Sequence, residues 1–108
     1  YIRMPESLVG KGEFFALIAK GESMVDAGIH PGDYVMIRKQ NTAEIGDIVV
    51  AFDQGVNNLK VLGFNHNKGA YFLRSCNEDK ERYGDIYPEE LQIQGVAVCV
   101  AHRLKKML

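Results

Sequence analysis

Apolar runs of strand length alternate with tight polar punctuation along the chain. Gly, Asn and Asp cluster at Gly10-Lys11-Gly12, Ala27-Gly28, Pro31-Gly32-Asp33, Gly46-Asp47, Asp53-Gln54-Gly55, Asn65–Gly69 and Tyr83-Gly84-Asp85. Between them lie short runs rich in Val, Ile, Phe and Tyr. This spacing predicts an all-β sandwich, barrel or rolled sheet. The strands expected are Glu13–Lys20, Asp33–Lys39, Asp47–Asp53, Asn58–Phe64, Ala70–Ser75 and Leu91–His102. Val49, Ala51 and Asp53 alternate with Ile48, Val50 and Phe52, so this run is apolar on both faces and reads as a central strand. Asp53–Asn57 and Asn65–Gly69 read as hairpin loops containing Gly. Helical structure is confined to short turns, one just after Ser23 and one at Pro88–Leu91. The last strand is long for a small domain. Its apolar stretch Val96–Ala101 needs cover, either as core or at the edge where a partner subunit docks.

Composition narrows the class. The chain has 108 residues, which fits one domain with a core of its own. Thirteen Lys and Arg against fourteen Asp and Glu give a formal charge of −1. That balance argues against a domain that grips nucleic acid by charge alone, and against a polybasic membrane-surface module. Arg103, Lys105 and Lys106 make a basic tail that reads as a solvated terminus. No apolar run approaches the length of a membrane span, and no basic segment leads into an apolar one at the N-terminus. Cys76 and Cys99 form neither a CxxC nor a metal spacing and read as reduced thiols. His30, His66 and His102 stand far apart, so no metal is expected. There is no phosphate-binding glycine pattern and no Gly-x-Ser-x-Gly elbow, so no cofactor is expected either.

One segment is unusual: Gly21-Glu22-Ser23-Met24-Val25-Asp26-Ala27-Gly28-Ile29-His30-Pro31-Gly32-Asp33. A strand ends, a Gly permits a sharp turn, and a Ser follows inside a compact loop. Lys60 comes 37 residues later in an apolar setting, Leu59-Lys60-Val61-Leu62. Spacing alone does not establish a catalytic pair. A Ser after Gly is ordinarily a turn residue, and a strand Lys ordinarily faces water.

The ordered motifs change that. Gly21–Asp33 resembles the nucleophile motif of the LexA family of self-cleaving domains, whose pattern is Gly-x-Ser-Met, a short acidic stretch, Gly-Ile, then Gly-Asp. Gly46–Ala51 is similar to that family's Gly-Asp-x-Val-Val-Ala strand. Leu59-Lys60 stands where the family has its Val-Lys pair. Leu73–Asn77 stands where it often has Leu-x-Pro-x-Asn, and Ile93–Val98 resembles its C-terminal Ile-x-Gly-x-Val-x strand. Ser75-Cys76 departs from the usual Pro-Glu, so that turn is expected to differ in detail. Asp53–Asn57 and Asn65–Gly69 are short versions of variable loops and are expected to stay clear of the pair.

The resemblance, which covers about residues 12–102, implies a mainly β fold, a small rolled or partly closed sheet of the LexA C-terminal, signal-peptidase-like type. It implies a single autoproteolytic and dimerisation domain over residues 1–108, with an N-terminal arm at 1–12. It implies Ser23 as nucleophile and Lys60 as general base, with the backbone N–H groups of Glu22 and Ser23 holding the oxyanion. The substrate implied is an upstream hinge. The hinge and the DNA-binding domain before it are expected outside this sequence, because only 22 residues precede Ser23. Ala27-Gly28 follows the nucleophile inside its own loop and is not expected to be the scissile bond. The implied partners are a second copy of the chain, a RecA filament on single-stranded DNA, and operator DNA reached through the missing domain, all in the cytoplasm. A UmuD-like accessory subunit of a lesion-bypass polymerase and a phage-type oligomerisation domain share the resemblance and stay open as alternatives.

Overall fold

The run that is apolar on both faces lies in the middle of the sheet. The structure, a computed structural model, describes residues 10–102 and 104. It contains six strands: β1 (Phe14–Ile18), β2 (Tyr34–Lys39), β3 (Ile48–Asp53), β4 (Val56–Asn65), β5 (Ala70–Arg74) and β6 (Gln92–Ala101). All pairings are antiparallel, in the order β1-β2-β6-β3-β4-β5. β1 and β5 are the two ends of this order, and the sheet does not close on itself. The basic tail and most of the N-terminal arm lie outside the described residues.

β3 runs between β6 and β4. Val50 packs on one face with Met24, Ile29, Val35, Ile37 and Val61. Val49 and Ala51 pack on the other with Leu62 and Leu73. Two cores on two faces of one sheet explain why the alternation of β3 carries no polar side until Asp53. The turn between β3 and β4 is two residues long, Gln54 and Gly55, both at positive φ (49° and 79°). That is the geometry of a type I′ hairpin turn, whose twist matches that of the strands.

One expectation is corrected: Pro88–Leu91 makes a bend at Glu89 and Glu90, with no helical turn. The last strand was open between core and edge, and it takes part of each: β6 pairs with β2 on one side and, over Gln92–Val96, with β3 on the other. Only beyond Val96 is its β3 side free of strand pairing among the described residues. The apolar stretch was ambiguous because pairing partners far along the chain decide which half is covered.

Gly95 shows how tightly this centre is built. It pairs with Lys39 on β2 and with Val50 on β3. A β-carbon there would lie 2.5 Å from the Arg38 carbonyl oxygen and would also strike the Ile37 side chain. Backbone cannot yield as a flexible side chain can. Gly95→Ala is expected to lower unfolding stability by about 1–3 kcal/mol. A urea melt checks this, with a lower midpoint at unchanged slope as the expected result.

Candidate active site

Ser23 is held by a loop that spends its apolar residues on anchoring. The segment from Ala19 to Asp33 joins β1 to β2. Its neck is closed by Ala19 N–H to the Asp33 carbonyl (2.8 Å) and Gly32 N–H to the Ala19 carbonyl (2.8 Å). The buried Asp33 carboxylate accepts the His30 N–H at 2.8 Å, which fixes the turn through Pro31 and Gly32. Val25–Ala27 forms a 3-10 turn ended by Gly28 in the left-handed conformation (φ 83°), which is the helical turn expected after Ser23. Met24 and Ile29, 3% and 2% exposed, reach down into the core from either side of it. Ser23 therefore sits one residue before a buried anchor and cannot drift far.

Lys60 comes from β4, where it pairs across to Val49. Its Nζ donates to Ser23 Oγ at 2.9 Å, and both residues are half-buried. No carboxylate lies within ion-pair distance of Lys60 among the described residues. Burial without a counter-ion pushes its pKa below the ordinary lysine value near 10.5. A neutral amine at hydrogen-bond distance from a hydroxyl is the arrangement that can take the hydroxyl proton.

The pair opens on a cleft of about 440 Å³. Leu17, Ile18, Ala19 and Lys20 form one wall and Val56, Asn57, Asn58 and Leu59 the other, with Met24 and Ile29 at the base. Both walls are strand edges. β1 pairs only with β2, and β5 begins to pair with β4 only at Val61. The walls carry Leu17, Ile18, Val56 and Leu59 beside the polar Lys20, Asn57 and Asn58, and their strand edges are of the kind that can bind an extended chain. The hairpin Asp53–Asn57, expected to stay clear of the pair, contributes Val56 and Asn57 to the wall.

The chain was compared with known proteins. The family model described as Peptidase S24-like matches residues 1–98. The chain belongs to that family. It is 43% identical over 97 residues to the LexA repressor of Leifsonia xyli subsp. xyli, covering 90% of this chain and 41% of that protein. It is 40% identical over 103 residues to the LexA repressor of Acidothermus cellulolyticus, covering 95% and 36%. Against the LexA repressor of Carboxydothermus hydrogenoformans it is 36% identical over 102 residues, covering 94% and 49%. The chain thus spans less than half the length of these S24-like relatives. The family is a peptidase family, which agrees with the mainly antiparallel sheet and with the expected LexA-like character.

Elsewhere the described residues offer little competing chemistry. No group of three or more His, Cys, Asp or Glu is placed to hold a metal ion. Cys76 and Cys99 are unbridged. His66 lies edge-on to Phe64 in an exposed hairpin loop. No helix is long and apolar enough to cross a membrane. What the residue patterns did not reveal is the segment after β5. The Cys76 carbonyl accepts the Asp26 N–H at 2.9 Å, and Asn77 Nδ2 donates to the Glu22 carbonyl at 2.8 Å. The only signal was the Asn at the end of Leu73–Asn77.

Proposed function

We propose that this chain is the self-cleaving and dimerising part of a LexA-type transcriptional repressor, with Ser23 and Lys60 as a catalytic dyad. The 2.9 Å contact between Lys60 Nζ and Ser23 Oγ, in a half-buried cleft with no carboxylate beside Lys60 among the described residues, carries this reading. Lys60, neutral, takes the Ser23 proton as Oγ attacks a peptide carbonyl carbon. The carbonyl oxygen becomes an oxyanion, held by the Ser23 and Glu22 N–H groups. Lys60 then returns the proton to the departing amine, leaving an ester on Ser23. Water, activated by the same amine, hydrolyses that ester and regenerates the hydroxyl.

The substrate is an upstream hinge laid as an extended strand between the two open edges of the cleft. Its cleavage separates this domain from a DNA-binding domain and ends repression during the response to DNA damage, with a RecA filament on single-stranded DNA as the stimulus. Dimerisation on β6 is supported by its stretch beyond Val96, which pairs with β2 on one side but with no strand on the other among the described residues, and where Val100 is 37% exposed. Operator binding and damage sensing place the protein in the cytoplasm. The test is incubation of the full-length chain at alkaline pH, and at neutral pH with RecA, nucleotide and single-stranded DNA. Two fragments, separated by cleavage of one hinge bond, are expected in both. A chain that stays intact in both refutes the reading.

A further inference from the structure

The peptide unit before Ser23 is held from outside the cleft. Asn77 Nδ2 donates to the Glu22 carbonyl at 2.8 Å. The Asn77 amide cannot face the other way, because its Oδ1 accepts the Asp79 N–H at 2.9 Å. Among the described residues the Glu22 carbonyl has one other donor, the Val25 N–H at a longer 3.3 Å. Next to Asn77, the Cys76 carbonyl binds the Asp26 N–H at 2.9 Å. Two adjacent residues therefore clasp the loop on either side of Ser23.

The consequence follows from peptide geometry. The Glu22–Ser23 bond is trans, and in a trans peptide the C=O and the following N–H point in opposite directions. Ser23 lines the cleft and Asn77 does not. A Glu22 carbonyl drawn toward Asn77 turns the Ser23 N–H toward the cleft. Among the described residues that N–H donates to nothing. An oxyanion donor works by being aimed before the charge develops.

We infer that Asn77 is a positioning residue: it clamps the Glu22–Ser23 peptide so that the Ser23 N–H faces the developing oxyanion. This rests on the reading of Ser23 as nucleophile. It assigns Asn77 no contact with substrate. Asn77→Ala frees the peptide to rotate and misaims the donor.

The test is self-cleavage of the full-length chain, followed as rate against pH, with a melting curve for each variant. Asn77→Ala is expected to lower the alkaline plateau about 10- to 100-fold, with the midpoint of the profile unmoved, because Lys60 keeps its surroundings. A plateau within twofold of wild type overturns the inference. So does a loss that follows the unfolded fraction as temperature is varied, which would mark a merely structural residue. If Asn77→Ala does not fold, Asn77→Asp keeps the shape and the Asp79 contact but lacks the donor, and its plateau is read the same way. Ser23→Ala run in parallel separates the two claims. A Ser23→Ala chain that still cleaves removes the nucleophile itself. An inactive Ser23→Ala beside a fully active Asn77→Ala removes only the role of Asn77.

Discussion

Ser23→Ala is expected to slow hinge cleavage about 10⁴-fold or more and to leave the fold in place. The loss is large because the hydroxyl oxygen forms the new bond, and no neighbouring group can take over that step. The fold survives because the loop does not depend on the hydroxyl. Its anchors are Met24 and Ile29 in the core, the closed neck between Ala19 and Asp33, and the clasp from Cys76 and Asn77. Among the described residues the hydroxyl makes one side-chain hydrogen bond, with Lys60. Losing it costs about 1 kcal/mol, well within what a domain of this size tolerates. A time course on a denaturing gel, with a thermal melt beside it, measures both halves. Cleavage at the wild-type rate would mean that another nucleophile acts.

Lys60→Arg is expected to be nearly as inactive as Lys60→Ala, with losses of about 10²- to 10⁴-fold in each. Arginine keeps the positive charge and the donors, so it would preserve a purely electrostatic or hydrogen-bonding role. It cannot lose its proton at any workable pH, so it cannot act as a base. Substantial cleavage by Lys60→Arg would therefore show that Lys60 serves as a cation and not as a base. A melting curve confirms that the guanidinium is accommodated beside the cleft.

The strands were legible because alternation and turn residues are local signals. The double-sided run Ile48–Asp53 identified the central strand, and the Gly-containing loop Asp53–Asn57 marked the hairpin, whose turn is only Gln54 and Gly55 because β4 already begins at Val56. The place of β6 was not legible. Its pairing with β2 and β3 depends on contacts far along the chain, and an apolar run reads the same in the core or at an edge. The site was legible in part. A Ser after Gly and a Lys in a strand have ordinary explanations, and only the ordered resemblance joined them across 37 residues. The shared cleft needed the fold, since it forms between the edges of β1 and β4, which are far apart along the chain and have three strands between them in the sheet order. The turn at Pro88–Leu91 failed as a helix because Leu91 leads straight into β6 and no apolar periodicity supports a helical turn there.

The pH dependence of cleavage tests the dyad most directly. Only neutral Lys60 can accept the Ser23 proton. Below the pKa of the folded protein the rate should climb about tenfold per pH unit, and above it level off. Burial lowers that pKa, so the midpoint should fall below the ordinary lysine value near 10.5. The measurement is the hinge-cleavage rate of the full-length chain between about pH 6 and 11, set against the NMR titration of the Lys60 side chain in Ser23→Ala. Coincident midpoints below the ordinary lysine value are predicted, allowing for the small change the missing hydroxyl makes. A rate that is flat across this range while Lys60 titrates would contradict the dyad.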